Sequence, residues 1–211
     1  MLSRVQRALP AGFIPPCLPS KADRPPSGVL WLHEIKHDGL RVIVRKNDAR
    51  VRLYSRPGND LTKRFPLIAE AVARLRSRSC ILDGEAVVCR SDGVSSFDLI
   101  RNWRNGASAF LYAFDLIELN GDDLRRDPIE QRKTVLARIL SLAPDGIRLN
   151  EHIEHEDAEL VFRHACKLGC EGIVSKRKGS PYRSGRSPDW IKLKDPASEA
   201  VRRKTEEDWS R

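Results

Sequence analysis

The sequence predicts an α+β fold in which two mainly antiparallel β-sheets, flanked by helices, enclose a polar cleft. Three observations lead to this prediction. Strand-like and helix-like segments are mixed without the strict alternation of a parallel βαβ arrangement. Several of the strand-like segments alternate apolar and polar residues with a period of two. Charged residues also interrupt otherwise apolar strands, and an inward-facing charge is costly unless it is paired or binds a ligand.

The first half of the chain is predicted to contribute a lead-in, three strands and a helix. Residues 1–28 combine prolines with basic residues, which is typical of an extended segment. The strands are predicted at Leu30–Lys36, Leu40–Lys46 and Arg50–Ser55. Asn47-Asp48 supplies a hairpin turn between the last two strands. A helix is predicted at Phe65–Ser77, because Pro66 suits a first helical turn and the apolar residues form one stripe.

The second half is predicted to add strands and helices, followed by a charged tail. The strands are Ser79–Cys89, Phe110–Leu119, Gly172–Arg177 and Trp190–Lys194. The helices are Ile129–Leu142 and Ala158–Leu168, the second of which Gly169 ends. Residues 29–196 are therefore interpreted as one domain, and residues 197–211 as a tail that forms a short helix or a disordered end.

Composition and charge narrow the class of protein. The 211 residues suffice for one large domain or two small ones, and 40% of them are hydrophobic. No apolar run reaches the ~20 residues of a membrane span, and prolines interrupt the segment where a secretory signal would lie. The net charge of +9 favours a polyanionic partner, either a nucleic acid or a nucleotide phosphate. We therefore expect a cytoplasmic protein with no membrane partner.

Cysteine and histidine residues give weaker signals. The five cysteines form no framework and are typical of reduced thiols in an intracellular protein. Cys166 and Cys170, with His164 nearby, lack the second pair that a zinc site needs, so we expect plain thiols there. The basic loop 180–187 is open to either phosphate contact or simple solvation. Two further histidines are expected in a solvated loop, namely His152 and His155.

Charged clusters recur in a set order along the chain. The first cluster contains Glu34, Lys36 and Arg41. Within it, the segment Lys36-His37-Asp38-Gly39, taken alone, is typical of an ordinary hairpin turn. Lysines and arginines suit phosphates, whereas glutamates suit a divalent metal. Lys192 and Lys194 lie two residues apart and therefore share one face of a strand. The remaining clusters are Ser55-Arg56-Pro57-Gly58-Asn59-Asp60, Asp83-Gly84-Glu85, Glu171-Gly172-Ile173-Val174-Ser175-Lys176 and Trp190-Ile191-Lys192-Leu193-Lys194.

Together with Tyr112-Ala113-Phe114-Asp115, these clusters resemble the ordered motifs of the covalent nucleotidyltransferases. The residues of these motifs are most similar to those of ATP-dependent DNA ligases, especially the ligase domain of bacterial non-homologous end-joining ligases. The resemblance implies an ATP-grasp-like adenylation domain with the nucleotide pocket between its sheets. It also implies that Lys36 attacks the α-phosphate of ATP and forms lysyl-AMP. The AMP would then pass to a DNA 5′-phosphate, and a 3′-hydroxyl would displace it to seal the nick.

The resemblance implies a role for each motif residue. Glu34 is expected to accept a hydrogen bond from the adenine amino group, and Phe114 to stack on the adenine ring. An amine attacks only when it is unprotonated, a form that neighbouring cations and Mg²⁺ or Mn²⁺ should favour. The other implied contacts are Arg41 and Arg56 with ribose or phosphate, Arg56 also with the DNA 5′-phosphate, Glu85 and Glu171 with ribose or metal, and Lys176 and Lys192 with the α-phosphate, with Lys194 beside them.

The chain departs from the ligase pattern after its last motif. The 17 residues beyond Lys194 are too few for the OB-fold domain that usually follows, so we expect that domain to be absent. Three interpretations of the chain remain open. It is an isolated adenylation domain, an adenylation domain that receives an OB-fold or an end-joining protein in trans, or a non-ligating nucleotide- or DNA-binding module. An RNA ligase or a GTP-using capping enzyme is a further alternative, against which Glu34 favours ATP. The expected partner is nicked or broken double-stranded DNA, and the expected location is the bacterial nucleoid.

Overall fold

Two β-sheets that face each other form the centre of the fold. The structure, a computed structural model, describes residues 13–198 together with residues 201 and 202. The strands are β1 (Cys17–Lys21), β2 (Trp31–Lys36), β3 (Leu40–Asn47), β4 (Arg50–Ser55), β5 (Ser79–Val87), β6 (Phe110–Leu119), β7 (Asp122–Asp123), β8 (Ile147–Leu149), β9 (His152–Ile153), β10 (Gly172–Arg177) and β11 (Gly185–Lys194). The helices are α1 (Pro66–Ala73), α2 (Phe97–Arg101), α3 (Ile129–Leu140) and α4 (Ala158–Lys167), with 3-10 turns at Thr62–Arg64 and Trp103–Ser108.

The strand pairing is mainly antiparallel, as predicted. The first sheet has the strand order β1-β11-β10-β2-β9, and within it β1 runs parallel to β11. The second sheet has the order β4-β3-β5-β6-β7, with β8 added in parallel to β6. All other pairs are antiparallel. The predicted α+β class with two mainly antiparallel sheets is therefore confirmed.

Apolar side chains divide the molecule into layers. Helix α4 covers the outer face of the first sheet through Val161 and Ala165, which pack with Ile173 and Leu193. Helices α1 and α3 cover the outer face of the second sheet through a larger cluster. Between the sheets lies a third cluster, which includes Leu32, Ile43, Ile81, Phe114, Ile117 and Trp190. This inner cluster holds the two sheets together on one side and leaves the cleft open beside it.

The predicted elements are confirmed, although several end earlier than expected. The helix predicted at Phe65–Ser77 ends at Ala73, and the strand predicted at Ser79–Cys89 ends at Val87. The last strand is longer than predicted and begins at Gly185, so the last three residues of the expected loop 180–187 lie in a sheet. Gly169 follows α4 with φ +76°, which matches its predicted role at the helix end. The predicted tail lies mostly outside the described residues.

Other short elements were not predicted from the sequence. Within the predicted lead-in, β1 pairs in parallel with β11, although Pro19 interrupts its register. Proline is tolerated there because β1 is an edge strand. His152, expected in a solvated loop, instead lies in the short strand β9 and pairs with Glu34, whereas His155 is exposed as expected.

The hairpin interpretation of Lys36-His37-Asp38-Gly39 is wrong. Strand β2 ends at Lys36 in the first sheet, and β3 begins at Leu40 in the second, so the segment crosses from one sheet to the other. Asp38 anchors the crossing: its N–H donates to Ser95 Oγ at 2.9 Å, and its Oδ2 accepts from the N–H of Phe97 at 3.1 Å. A Cβ on Gly39 would lie 2.3 Å from the carbonyl oxygen of Ala86, so only glycine fits there.

Among the described residues, no helix is long and apolar enough to cross a membrane.

Candidate active site

Three neighbouring strands place the lysines of the motifs on one face of the first sheet. Lys36 on β2 lies opposite Gly172 on β10, and Gly172 lies opposite Lys194 on β11. Residues that lie opposite each other across strands share a face of the sheet. Gly172 has φ +142°, and a Cβ there would lie 2.1 Å from the carbonyl oxygen of Leu193. The glycine therefore keeps the space between the two lysines free of a side chain.

A carboxylate joins these two lysines at the open end of the cleft. Glu171 Oε2 pairs with the Nζ of Lys36, and Glu171 Oε1 lies 2.5 Å from the Nζ of Lys194. The Glu171 side chain is 4% exposed, whereas that of Lys36 is 21% exposed and accessible to a reactant. Burial opposes ionisation of Glu171, but the two lysines outweigh burial and lower the pKa of this carboxyl. Glu171 is therefore a carboxylate that holds both amines.

Lys192 is the third lysine on this face of the sheet. It is half-buried, and it lies opposite Val174 on the same face as Lys36 and Lys194. Burial, followed by the nearby charges of Lys36 and Lys194, lowers the pKa of Lys192 to about 8. Such a concentration of positive charge favours binding of an anionic ligand.

Buried charges lie deeper in the cleft, around Glu34. The Oε1 of Glu34 lies 2.7 Å from the Nζ of Lys133, and its Oε2 lies 2.8 Å from the Nζ of Lys176. Burial would raise the pKa of Glu34, but the two lysines lower it overall, so Glu34 is ionised. Lys176 also lies over two aromatic rings, 4.4 Å from the centroid of Phe114 and 4.1 Å from that of Trp190. These rings stabilise a cation that has left water.

The opposite wall comes from the second sheet. Arg41 on β3 forms a bidentate pair with Asp83, at 2.6 Å and 2.7 Å, and its guanidinium lies 4.3 Å from the ring centroid of Phe114. The hydroxyl of Tyr182 donates to Asp83 Oδ2 at 2.6 Å and accepts from the N–H of Cys17 at 3.0 Å. Asp83 is fully buried, so these bonds fix Arg41 against the aromatic ring.

Glu85 supplies a carboxyl group on the wall that faces Lys36. Burial raises the pKa of Glu85 to about 7, although Lys36 and Arg41 act in the opposite direction. Glu171 and Asp83 add repulsion, which also disfavours its charge. Mg²⁺ usually takes one or two protein carboxylates and completes its shell with water and substrate phosphates. Glu85 and Glu171 fit that requirement, although no group of three or more His, Cys, Asp or Glu residues forms a metal cluster within the described part of the chain.

The structure brings most of the predicted residues together. A cleft of about 450 Å³ is lined by Glu34, Lys36, Arg41, Glu85, Phe114 and Lys176. Glu171 joins it through its contact with Lys36, and Lys194 joins it through its contact with Glu171. Arg56 lies apart, exposed in the turn after β4. Lys176, expected at the α-phosphate, pairs with Glu34 in the deeper part of the cleft.

Several residues of the site were not identified from the sequence. His37 stacks on Tyr112 with a centroid distance of 3.9 Å and an interplanar angle of 5°, and burial lowers the pKa of His37 to about 4. Asn150, which directly follows β8, and Lys133 on α3 both contact Glu34, and they belong to none of the motifs. Trp190 could have been identified from the sequence, because it lies two residues from Lys192 and therefore shares the same face of the strand. All five cysteines are free.

Comparison with known proteins identifies a family. Residues 27–194 match the family model described as ATP dependent DNA ligase domain. The chain is 40% identical over 186 residues to the multifunctional non-homologous end joining protein LigD of Pseudomonas aeruginosa, a match that covers 86% of this chain and 22% of that protein. It is also 30% identical over 186 residues to the SPbeta prophage-derived DNA ligase-like protein LigB of Bacillus subtilis, covering 86% of this chain and 67% of that protein.

Solved structures show the same fold. The ligase domain of LigD from M. tuberculosis matches with a TM-score of 0.75 and 31% identity, covering 86% of this chain and 60% of that one. A mycobacterial DNA ligase D complexed with ATP and MES matches with a TM-score of 0.74 and 32% identity, with the same coverage. The chain spans about a fifth of the length of the LigD proteins that it matches.

Proposed function

We propose that this chain, which belongs to the family of ATP-dependent DNA ligase domains, transfers AMP from ATP to Lys36 and then to a DNA 5′-phosphate. The supporting observation is the arrangement at the open end of the cleft. Lys36 is accessible there, and Glu171 holds its amine in place. Lys194 pairs with the same carboxylate, and Lys192 adds a further cation. A nucleophile beside a group of cations is the arrangement that attack on a phosphate requires.

In the first step, the Nζ of Lys36 attacks the α-phosphorus of ATP. A nitrogen–phosphorus bond forms, the bond from the α-phosphorus to the bridging oxygen breaks, and pyrophosphate leaves with the electron pair. The Lys36–Glu171 pair has to open for this attack, so that the ammonium gives one proton to solvent and the free amine turns towards the phosphate. A second proton leaves the nitrogen for solvent as the nitrogen–phosphorus bond forms. Lys192 and Lys194 lie where they would offset charge on the phosphoryl group. Glu85 and Glu171 would hold Mg²⁺ or Mn²⁺, which would neutralise phosphate charge when bound.

The nucleotide base is proposed to lie at the deeper end of the cleft. Phe114 and Trp190 offer apolar surface there, and Glu34 and Lys176 offer polar atoms for the edge of the base. Both carboxylate oxygens of Glu34 contact lysines, so an adenine amino group would share an oxygen with one of them. Arg41 lies between the two ends, where ribose or a phosphate would pass.

The proposal is tested by intact-protein mass spectrometry after incubation with ATP and Mg²⁺. Bound AMP is first removed with excess pyrophosphate, which reverses the reaction. The wild-type protein should then gain the mass of one AMP, and Lys36→Ala should gain none. Lys167→Ala is the matched control, since Lys167 is exposed on α4 on the other side of the first sheet, and it should be adenylated as the wild type is. An adduct on the Lys36→Ala protein, or none on the stripped wild type, would contradict the proposal.

The second step is proposed to act on broken double-stranded DNA. The LigD relatives are named as non-homologous end joining proteins, and the net charge of +9 supports binding to a nucleic acid. Arg56, exposed in the turn after β4, is the proposed contact for the 5′-phosphate. We further propose that an OB-fold domain or an end-joining protein assists this step at the bacterial nucleoid. Labelled lysyl-AMP offered nicked DNA or nicked RNA should transfer AMP to DNA, whereas transfer to RNA alone would favour an RNA ligase.

A further inference from the structure

One buried asparagine outside the motifs bridges the two sheets next to the nucleophile. Asn150 is 6% exposed and directly follows β8. Its backbone N–H donates to the carbonyl oxygen of Ala113 at 2.7 Å, which fixes the residue on the second sheet. Its side chain crosses the cleft and meets the end of β2 on the first sheet. Asn150 thus connects the two walls beside Lys36.

The side chain of Asn150 contacts the residues on both sides of Lys36. Its amide nitrogen lies 3.3 Å from the carbonyl oxygen of Ile35 and 3.4 Å from Oε2 of Glu34. Its amide oxygen lies 3.1 Å from Nε2 of His37. Because the amide nitrogen faces two acceptors, the amide oxygen has to face the histidine. The Nε2 of His37 therefore carries a proton and donates a hydrogen bond to the amide oxygen of Asn150.

The partners of Asn150 are themselves held in place. The ring of His37 stacks on Tyr112 of the second sheet. Lys133 donates to the backbone oxygen of Asn150 at 3.1 Å while it pairs with Glu34. The residues before and after Lys36 are therefore fixed to both sheets. The Lys36 side chain is left to reach the open end of the cleft.

From this geometry we infer that Asn150 is a positioning residue, which holds the end of β2 so that the Lys36 amine meets the α-phosphate. The inference rests on the proposed role of Lys36 as the nucleophile. A lysine side chain has many rotamers, so the position of its backbone limits where the amine can reach. A misplacement of about 1 Å can slow a reaction between positioned groups ~100-fold. Asn150 would act on the rate of attack more than on the binding of ATP.

The test measures single-turnover formation of lysyl-AMP at increasing ATP concentrations. Two variants are compared with the wild type. Asn150→Ala removes every side-chain bond, whereas Asn150→Asp keeps the volume and the acceptor for His37 but replaces the donor. Both should lower the maximal rate ~10- to 100-fold, with a smaller change in the ATP concentration that gives half of that rate. Asn105→Ala is the matched control, because Asn105 donates from its side chain to the carbonyl oxygen of Leu99 at 2.9 Å outside the cleft.

A second measurement does not depend on catalysis. Nitrogen chemical shifts of the His37 ring, measured by NMR, report which nitrogen carries the proton. The wild type and Asn150→Asp should both show the Nε2–H form, and Asn150→Ala should lose that preference. If the wild type forms no lysyl-AMP, the proposed function fails, and the histidine shifts still decide whether Asn150 holds the strand end. An Nδ1–H form in the wild type, or folded Asn150 variants with an unchanged maximal rate, would overturn the inference.

Discussion

The buried ion pair between Asp115 and Arg132 gives the most direct test of how the cleft is held together. Neither side chain has any solvent exposure. The guanidinium donates to the two carboxylate oxygens at 2.7 Å and 2.9 Å, and also to the carbonyl oxygens of Asp127 at 2.6 Å and Ser180 at 3.0 Å. Asp115 ends the Tyr112–Asp115 motif, yet its partner lies on α3. We therefore expect it to stabilise the fold and to take no part in the chemistry.

Removing one partner should be far more damaging than removing both. Asp115→Leu takes away two of the four hydrogen bonds of Arg132 and leaves a buried cation without its counterion. Such a loss costs about 3–5 kcal/mol. At ~2–4 °C per kcal/mol for a domain of this size, the melting temperature should fall by roughly 6–20 °C. Arg132→Met should cost a similar amount. The double variant should recover most of the loss, because two apolar residues of similar volume need no counterion.

Urea unfolding, followed by tryptophan fluorescence and far-ultraviolet circular dichroism, measures each free energy. The dependence of that free energy on urea concentration should stay the same in all four proteins, so that the differences report stability alone. The interaction energy from the double-mutant cycle should then be large and favourable in the wild type. Single variants that lose less than about 1 kcal/mol, or a double variant that loses the sum of both, would refute the reasoning.

Two further predictions follow from the lysine face. Lys192 has a pKa of about 8, so it is charged below that pH and loses its attraction for phosphate as the pH rises through it. ATP affinity measured by calorimetry should therefore weaken between about pH 7 and 9 in the wild type and in the control Lys167→Met, and should change less in Lys192→Met. Gly172→Ala should lower the free energy of urea unfolding by about 1–3 kcal/mol or more, and by more than Gly169→Ala. Gly169 also has a positive φ, but a Cβ there would meet nothing within 4 Å.

The sequence singles out the charged residues of the cleft because each of them has a recognisable local sequence context. Glu85 lies within an apolar strand, Lys36 ends a strand and Glu171 directly precedes one. A buried charge in such a place requires a partner or a ligand. Lys192 and Lys194 share a face by the period of a strand, which holds wherever the strand lies. The motif glycines are also local, since Gly39 and Gly172 permit close contact with a neighbouring backbone. These features need no knowledge of which strands pair.

Long-range pairing could not be predicted in the same way. Strands β1 and β11 pair across more than 160 residues, and nothing in the five residues of β1 specifies a parallel partner. The same limit explains the wrong hairpin interpretation, because the sequence cannot show that β2 and β3 lie in different sheets. Asn150 gave no signal either, since a single asparagine near a turn is common. Its importance comes from what folding brings next to it.

Helix α3 shows why the residues that fix the width of the cleft are not recognised by a sequence motif. Arg132 and Lys133 are polar residues of an amphipathic helix, and such residues usually face solvent. Neighbouring residues of a helix point about 100° apart, so these two reach different walls. Arg132 binds Asp115 on the second sheet, and Lys133 binds Glu34 on the first. One turn of α3 therefore fixes the spacing of the sheets at the deep end of the cleft, as Asn150 does beside Lys36. The motifs supply charged residues that line the cleft, and side chains outside the motifs fix the distance between its two walls.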